Sequence, residues 1–121
     1  MNIELPYPDK VLSPNSRCHW SKKALAAKKA RSNAFYIALR AGLNKSTFSD
    51  YEHRLHFWID IYAKTKNYPD ADNMLSSLKS ALDGIADALE LNDRRFIPHP
   101  FVKDETHKGG KVAIRSRNGA D

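Results

Sequence analysis

Cysteine, long apolar runs and acidic charge are all scarce in this chain of 121 residues. The one cysteine, Cys18, cannot form a disulfide within the chain, and no second cysteine exists for a CxxC metal site. No apolar run approaches the roughly 20 residues that a membrane-spanning helix needs. The first ten residues lack the basic and apolar regions of a signal peptide. We therefore expect a cytoplasmic protein with no membrane partner.

Acidic residues are outnumbered, since 14 Asp and Glu face 20 Lys and Arg, which gives a net charge of +6. The pI is near 9.5. A basic surface attracts polyanions, so nucleic acid is the first candidate partner. An anionic membrane is the second, but no strongly apolar helical face accompanies the cations. The length and the 41% hydrophobic content predict a single globular domain over residues 1–121.

Hydrophobic periodicity predicts six elements in the order β-α-β-α-β-β. They are strands at 3–6, 53–64, 96–105 and 111–116, and helices at 21–42 and 72–90. Pro98 and Pro100 predict that the third strand lies at the edge of a sheet or is bulged. A Gly-Gly turn at 106–110 predicts a hairpin between the last two strands. The expected fold class is α+β, with two helices packed on a small mixed sheet.

Apolar spacing also predicts which faces are buried. Strand 53–64 alternates with period two, and its buried face would carry Leu55, Phe57, Ile59 and Ile61. Helix 21–42 would begin at an N-cap Ser21 and stop at Gly42. Its core stripe would be Leu25, Ala26, Ala30, Ala34, Ile37 and Ala41. The second helix repeats apolar residues at Leu75, Leu78, Leu82, Ile85 and Leu89.

The stretch PDADNMLSSLK, residues 69–79, places Asp70 and Asp72 at the start of the second helix. Two converging carboxylates repel each other unless a cation or hydrogen-bond donors compensate. One interpretation is an ordinary N-cap. The other is a site for Mg²⁺, which prefers one or two carboxylates together with waters and phosphate oxygens.

Lys79 adds a cation to this stretch. In a continuous helix it lies about 20° round the axis from Asp72 and about 10 Å along it, and lysine side chains lean towards the helix N-terminus. The ammonium could hold a phosphate oxygen there, or could instead pair with Asp83 at i+4. Asp93 would emerge at the far end of a helix about 28 Å long. A break at Gly84 would allow the chain to return.

A basic, ring-bearing segment precedes the first helix and enters it. Arg17, His19, Trp20, Lys22 and Lys23 fit contact with a phosphate backbone and one stacking aromatic ring. The alternative is a solvated helix face. The overall charge favours DNA contact for the loop cations.

Taken together, PDADN, the run LKSALDGIADALELNDRRF and the late KGGKVAI resemble the RusA family of Holliday junction resolvases, common in phages and prophages. The LP.P opening and the PNSR loop also match that family. The resemblance implies a homodimeric, Mg²⁺-dependent endonuclease, with Mn²⁺ as a substitute, that cuts four-way DNA junctions by paired symmetric nicks in recombination and repair.

The resemblance also implies the site residues. The metal-binding acids correspond to Asp70, Asp72 and Asp93, and the catalytic lysine corresponds to Lys79. Two positions depart from the family pattern: Ser76 stands where the lysine usually follows the second aspartate, and Asn92 replaces the first residue of a double aspartate. Two other interpretations stay open, namely a branched-DNA-binding dimer that does not cleave, and a basic adaptor for RNA or protein whose acids are caps.

Overall fold

A computed structural model describes residues 1–48 and 54–117. The elements are β1 (Asn2–Pro6), α1 (Trp20–Arg40), β2 (Leu55–Ala63), α2 (Ala71–Ser77), α3 (Lys79–Leu89), β3 (Phe96–Thr106) and β4 (Lys111–Arg117). Short 3₁₀ turns cover Lys10–Leu12 and Asp93–Arg95. Part of the connector predicted at 43–51, the first residue of the strand predicted at 53–64 and the tail beyond 117 lie outside the described residues. The predicted α+β class is confirmed.

One mixed sheet of four strands runs in the order β1-β4-β2-β3. β2 and β3 are parallel, whereas β4 is antiparallel to both of its neighbours. The hairpin predicted at the Gly-Gly turn is wrong, because β2 lies between β3 and β4. The turn instead crosses the end of β2, where the main-chain N–H of His107 donates to the carbonyl oxygen of Ala63 at 2.9 Å.

Strand β2 forms the middle of the core, as its alternation predicts. Leu55, Phe57, Ile59 and Ile61 are fully buried, and the residues between them are half-buried. The prolines of β3 are tolerated because β3 is an edge strand, also as predicted. The buried side chains of β2 pack with α1 and α3 in one hydrophobic cluster.

Helix α1 differs from its prediction at its start and in its core stripe, where Leu25 and the C-cap residue Ala41 are both exposed. Its N-cap is His19 and not Ser21, because the His19 ring nitrogen Nδ1 accepts the Ser21 N–H at 3.2 Å and the helix starts one residue earlier. Leu25 is 69% exposed, since nine residues at 100° each set it opposite the buried Ala34. Gly42, with φ of 88°, ends the helix as predicted.

The predicted helix 72–90 is interrupted at Leu78, whose φ and ψ of −93° and −2° separate α2 from α3. The expected break at Gly84 is wrong. Gly84 is buried inside α3, where a Cβ would overlap the main-chain oxygen of Arg31 and lie 3.1 Å from the Cβ of Ala34. The glycine therefore permits α1 and α3 to pack closely.

Candidate acidic groove and basic helix end

The predicted DNA-contacting residues gather at the exposed start of α1. Trp20 is 74% exposed and its ring lies 5.5 Å from that of His19. Arg17 and Lys22 are exposed, and Lys23 is half-buried. We call these five residues the basic helix end. Its cations and one free ring face are accessible to a polyanion.

Asp70 and Asp72 lie together at the start of α2. Asp70 is the N-cap, and its Oδ1 accepts the main-chain N–H of Asn73 at 3.0 Å. Asp72 is exposed in the first turn. The capping interpretation is therefore confirmed for Asp70, and its role as a metal ligand stays a prediction.

Lys79 lies between two carboxylates. Its Nζ is 3.3 Å from Oδ2 of Asp93 and 3.8 Å from Oδ1 of Asp83. The predicted lean towards Asp72 is wrong, because both of these partners follow Lys79 in the chain and attract the ammonium towards the C-terminal end of α3. The pairing with Asp83 at i+4, the alternative for Lys79, is observed.

A chain reversal after α3 returns Asp93 to the helix. Glu90 adopts a left-handed conformation with φ of 53°, and the Leu91 N–H donates to the carbonyl oxygen of Ala86 at 3.0 Å. Asn92 then caps the 3₁₀ turn that carries Asp93. The reversal does not need the break at Gly84 that the sequence suggested.

The two carboxyls beside Lys79 differ in acidity. Burial raises the pKa of Asp83, and its hydrogen bond with Asp93 raises that pKa further, while Lys79 opposes both effects. The hydrogen bond from Lys79 lowers the pKa of Asp93. As the pH falls, the proton therefore binds Asp83 first, and Asp93 keeps its charge.

A bidentate ion pair joins α1 to this region. Arg31 donates from Nε to Oδ2 of Asp87 at 2.7 Å and from Nη2 to Oδ1 at 2.9 Å. The guanidinium lowers the pKa of Asp87. No local signal in the sequence pairs Asp87 with a residue 56 positions away.

An open cavity of about 350 Å³ lies between the helices and β3. We call it the acidic groove; it is lined by Leu75, Ser76, Lys79, Leu82, Asp83, Asp93, Phe96 and Pro98. Ser76, at the usual position of the family's lysine, and Lys79 thus border one cavity. Asp72 is one helical turn before Ser76 on the same face of α2.

Asp70 borders a different cleft. That cleft, of about 770 Å³, is also lined by Tyr7, Lys10, Lys64 and Asn73. Burial raises the pKa of Tyr7, and Nζ of Lys64 lies 5.3 Å from the centre of its ring. The structure thus brings Lys79 and Asp93 together, and sets Asp70 apart from them.

Across residues 1–48 and 54–117, no three side chains of His, Cys, Asp or Glu are close enough to hold a metal ion together. The set of Asp70, Asp72 and Asp93 is therefore not assembled as one cluster. Two carboxylates, Asp83 and Asp93, do adjoin, which fits the one or two that Mg²⁺ prefers.

Among residues 1–48 and 54–117, no helix is long and apolar enough to cross a membrane.

The chain matches no family model. It is 46% identical over 113 residues to a protein of Xylella fastidiosa (strain Temecula1 / ATCC 700964) that is described as uncharacterized. The match covers 93% of this chain and 73% of that protein. With this identity over nearly its whole length, the chain belongs to the same family as the Xylella fastidiosa protein.

Proposed function

We propose that the protein is a Mg²⁺-dependent, structure-selective DNA endonuclease that resolves four-way junctions by paired symmetric phosphodiester hydrolysis as a homodimer. The observation that carries the proposal is the acidic groove, where Lys79 lies 3.3 Å from Asp93 on a chain of net charge +6. Lys79 is exposed to solvent between two carboxylates. Its positive charge would attract a phosphodiester, which is negatively charged. The resemblance to the RusA family supplies the substrate class.

Each residue has a distinct task in this proposal. The resemblance assigns Mg²⁺ to Asp70, Asp72 and Asp93. Since Asp93 lines the acidic groove and Asp70 a separate cleft, these acids would have to converge to hold the ion, which, when bound, polarises a phosphate and lowers the pKa of a water. Lys79, whose side chain is 70% exposed, is free to exchange a carboxylate for a phosphate oxygen and stabilise charge that develops there. Asp83, whose pKa burial raises, is the carboxyl of the groove that takes up a proton first as the pH falls.

The basic helix end would position the DNA. Arg31, tied to α3 by Asp87, is eleven residues after Trp20 along α1, a span of about 17 Å. That distance corresponds to about five steps along one DNA strand. A duplex arm that contacts Lys22 and Lys23 and follows α1 would therefore pass about five phosphates before it meets Arg31, which is paired with Asp87 of α3.

A second function has one observation in its favour. Because Asp70 borders a separate cleft and Lys79 is already paired with two acids, the chain could bind branched DNA as a dimer without cutting it. Both functions use the basic helix end, and they differ only in hydrolysis.

Binding and cleavage of the same four-way junction are measured for wild type, which separates the two functions, and for Asp72→Asn, which tests the proposed metal site. We expect cleavage to fall to background while the junction is still bound, because the substitution removes a ligand charge and leaves the basic helix end intact. Asp104→Asn, an equal charge change on an exposed part of β3, is the matched control and should cut normally. If Asp72→Asn cleaves the junction at the wild-type rate, the proposed metal site is wrong.

A further inference from the structure

Helix α1 carries exposed apolar side chains on the side opposite its buried residues Ala34 and Ala38. Leu25 is 69% exposed, Tyr36 62% and Leu39 42%. Since each residue turns the helix by about 100°, Tyr36 lies about 20° and Leu39 about 40° round the axis from Leu25. We call these three residues the outer row. Large apolar side chains that share one exposed face are typical of an interaction surface.

The outer row is flanked by cations. Lys28 lies about 60° to one side of Leu25 and Lys29 about 40° to the other, and Arg40 follows Leu39. Helix α1 contains no Asp or Glu. Within residues 1–48 and 54–117, Lys28, Lys29 and Arg40 form no ion pair. Uncompensated positive charge beside apolar side chains favours a partner that is acidic and partly apolar.

A cavity of about 170 Å³ lies beside the outer row, and we call it the α1 cavity. Lys29 and Asn33 border it, at about 40° and 80° round the helix from Leu25, so they stand between the outer row and the cavity. Most of its wall is apolar, with contributions from Leu5, Leu12, Ala26, Ala30, Leu78 and Ala81. An apolar cavity of about 150 Å³ can hold one benzene-sized ring. The α1 cavity therefore has room for one leucine or aromatic side chain.

The polar groups of the α1 cavity do not suit a nucleobase. A flipped base is recognised through hydrogen bonds to its edge. The hydroxyl of Ser77, in the wall, already donates to the main-chain oxygen of Asn73 at 2.9 Å. Oδ1 of Asp9, which also borders the cavity, accepts the Val11 N–H at 3.0 Å. The cavity thus suits an apolar side chain better than a base.

Two other occupants fit the outer row poorly. A helix that lies on a membrane buries a broad apolar face, whereas the exposed Ser32 lies between Leu25 and Tyr36 and interrupts this one. A second copy of the same surface would set the cations of one outer row against those of the other. An acidic segment of a different protein meets neither obstacle.

We propose that the outer row and the α1 cavity together bind an acidic segment of another protein, one that carries a leucine or an aromatic residue. The apolar residue enters the cavity, as central anchor residues of protein interfaces do, and neighbouring carboxylates pair with Lys28 and Lys29. The outer row is about 21 Å long, which about six residues of an extended segment would cover. No residue of the acidic groove or the basic helix end takes part, so this inference does not depend on the proposed function.

The test begins with a random peptide library displayed on phage and selected against the immobilised full chain. We expect the enriched peptides to combine several Asp or Glu residues with a leucine or an aromatic residue. A fluorescent copy of the most enriched peptide is then titrated with the protein, and its anisotropy is measured. Because salt screens surface charges, the affinity should fall as salt is added.

Two variants locate the bound peptide. Ala30→Leu fills the α1 cavity, Lys29→Glu reverses the charge beside it, and each should weaken peptide binding roughly tenfold. The matched controls are Ala24→Leu, at an exposed alanine of α1, and Lys108→Glu, at an exposed lysine between β3 and β4. Both controls should bind the peptide as wild type does. Circular dichroism reports whether each variant is folded, and leucine favours a helix nearly as well as alanine.

Three results would overturn the inference. The first is that no peptide is enriched over a blank surface. The second is that the enriched peptides lack acidic residues, or that folded Ala30→Leu and Lys29→Glu bind them as wild type does. The third is that Ala30→Leu loses affinity for a DNA duplex or for vesicles of anionic lipid and not for the peptide, which would assign the cavity to DNA or to a membrane.

Discussion

Replacing Gly84 by alanine tests the packing that connects the basic helix to the acidic groove. The new Cβ would overlap the main-chain oxygen of Arg31 and approach the Cβ of Ala34 to 3.1 Å. A main-chain oxygen cannot rotate aside as a flexible side chain can. Helix α1 must therefore move away from α3, which also strains the ion pair between Arg31 and Asp87.

Two opposing effects set the magnitude. Alanine is favoured over glycine inside a helix by about 1 kcal/mol. Overpacking a well-packed core costs about 1 to 3 kcal/mol, and overlap with backbone belongs at the upper end of that range. We expect Gly84→Ala to lower the free energy of unfolding by about 2 kcal/mol net. For a chain of this length, that corresponds to a melting temperature lower by about 6 to 10 °C.

Thermal unfolding followed by circular dichroism measures this change. Ser80→Ala, on α3 but not fully buried, is the control, since it improves helix propensity without the overlap and should raise the melting temperature slightly. If Gly84→Ala melts at or above the wild-type temperature, the close approach of α1 to α3 is wrong.

Two further predictions concern the charged groups. Lys79→Ala should slow junction cleavage by about 10²- to 10³-fold, which is the usual loss when one group that stabilises transition-state charge is removed. The control Ser76→Ala should cleave the junction normally. Equal losses of rate in the two variants would refute the role of Lys79. The lowered pKa of Asp87 means that its pairing with Arg31 stabilises the fold above the ordinary carboxyl pKa of 3.8 and that this contribution is lost as the pH falls through the folded-state value. The melting temperature of Asp87→Asn should therefore lie below that of wild type at pH 7 and converge with it in acid, and a constant difference across pH would contradict the pairing.

Local patterns predicted the parts of the fold that local physics controls. The alternation of β2 identified its buried face. The prolines of β3 limited it to an edge or bulged strand, since proline has no N–H to donate to a neighbouring strand. The Gly-Gly motif predicted a turn, which is confirmed, and a hairpin between β3 and β4, which is wrong. A turn signal says that the chain reverses, but strand pairing depends on where β2 already lies.

Site residues were harder to predict for a related reason. Periodicity placed Lys79 on the face of Asp72, yet its ammonium lies beside Asp83 and Asp93, because the fold returns a later segment to that point. Gly84 was interpreted as a break, since a sequence does not show that another helix approaches it closely. The bidentate pairing of Asp87 with Arg31 could likewise not be predicted, because the two residues are distant in sequence.

Cleavage of a mobile four-way junction, labelled in turn on each strand, tests the central claim most directly. The account predicts paired symmetric nicks in opposing strands with Mg²⁺, and none with excess EDTA. Asp93→Asn should remove the nicks while the junction is still bound. Nicks that persist in EDTA would contradict metal dependence, and tight binding by wild type in Mg²⁺ with no nicks would contradict the endonuclease.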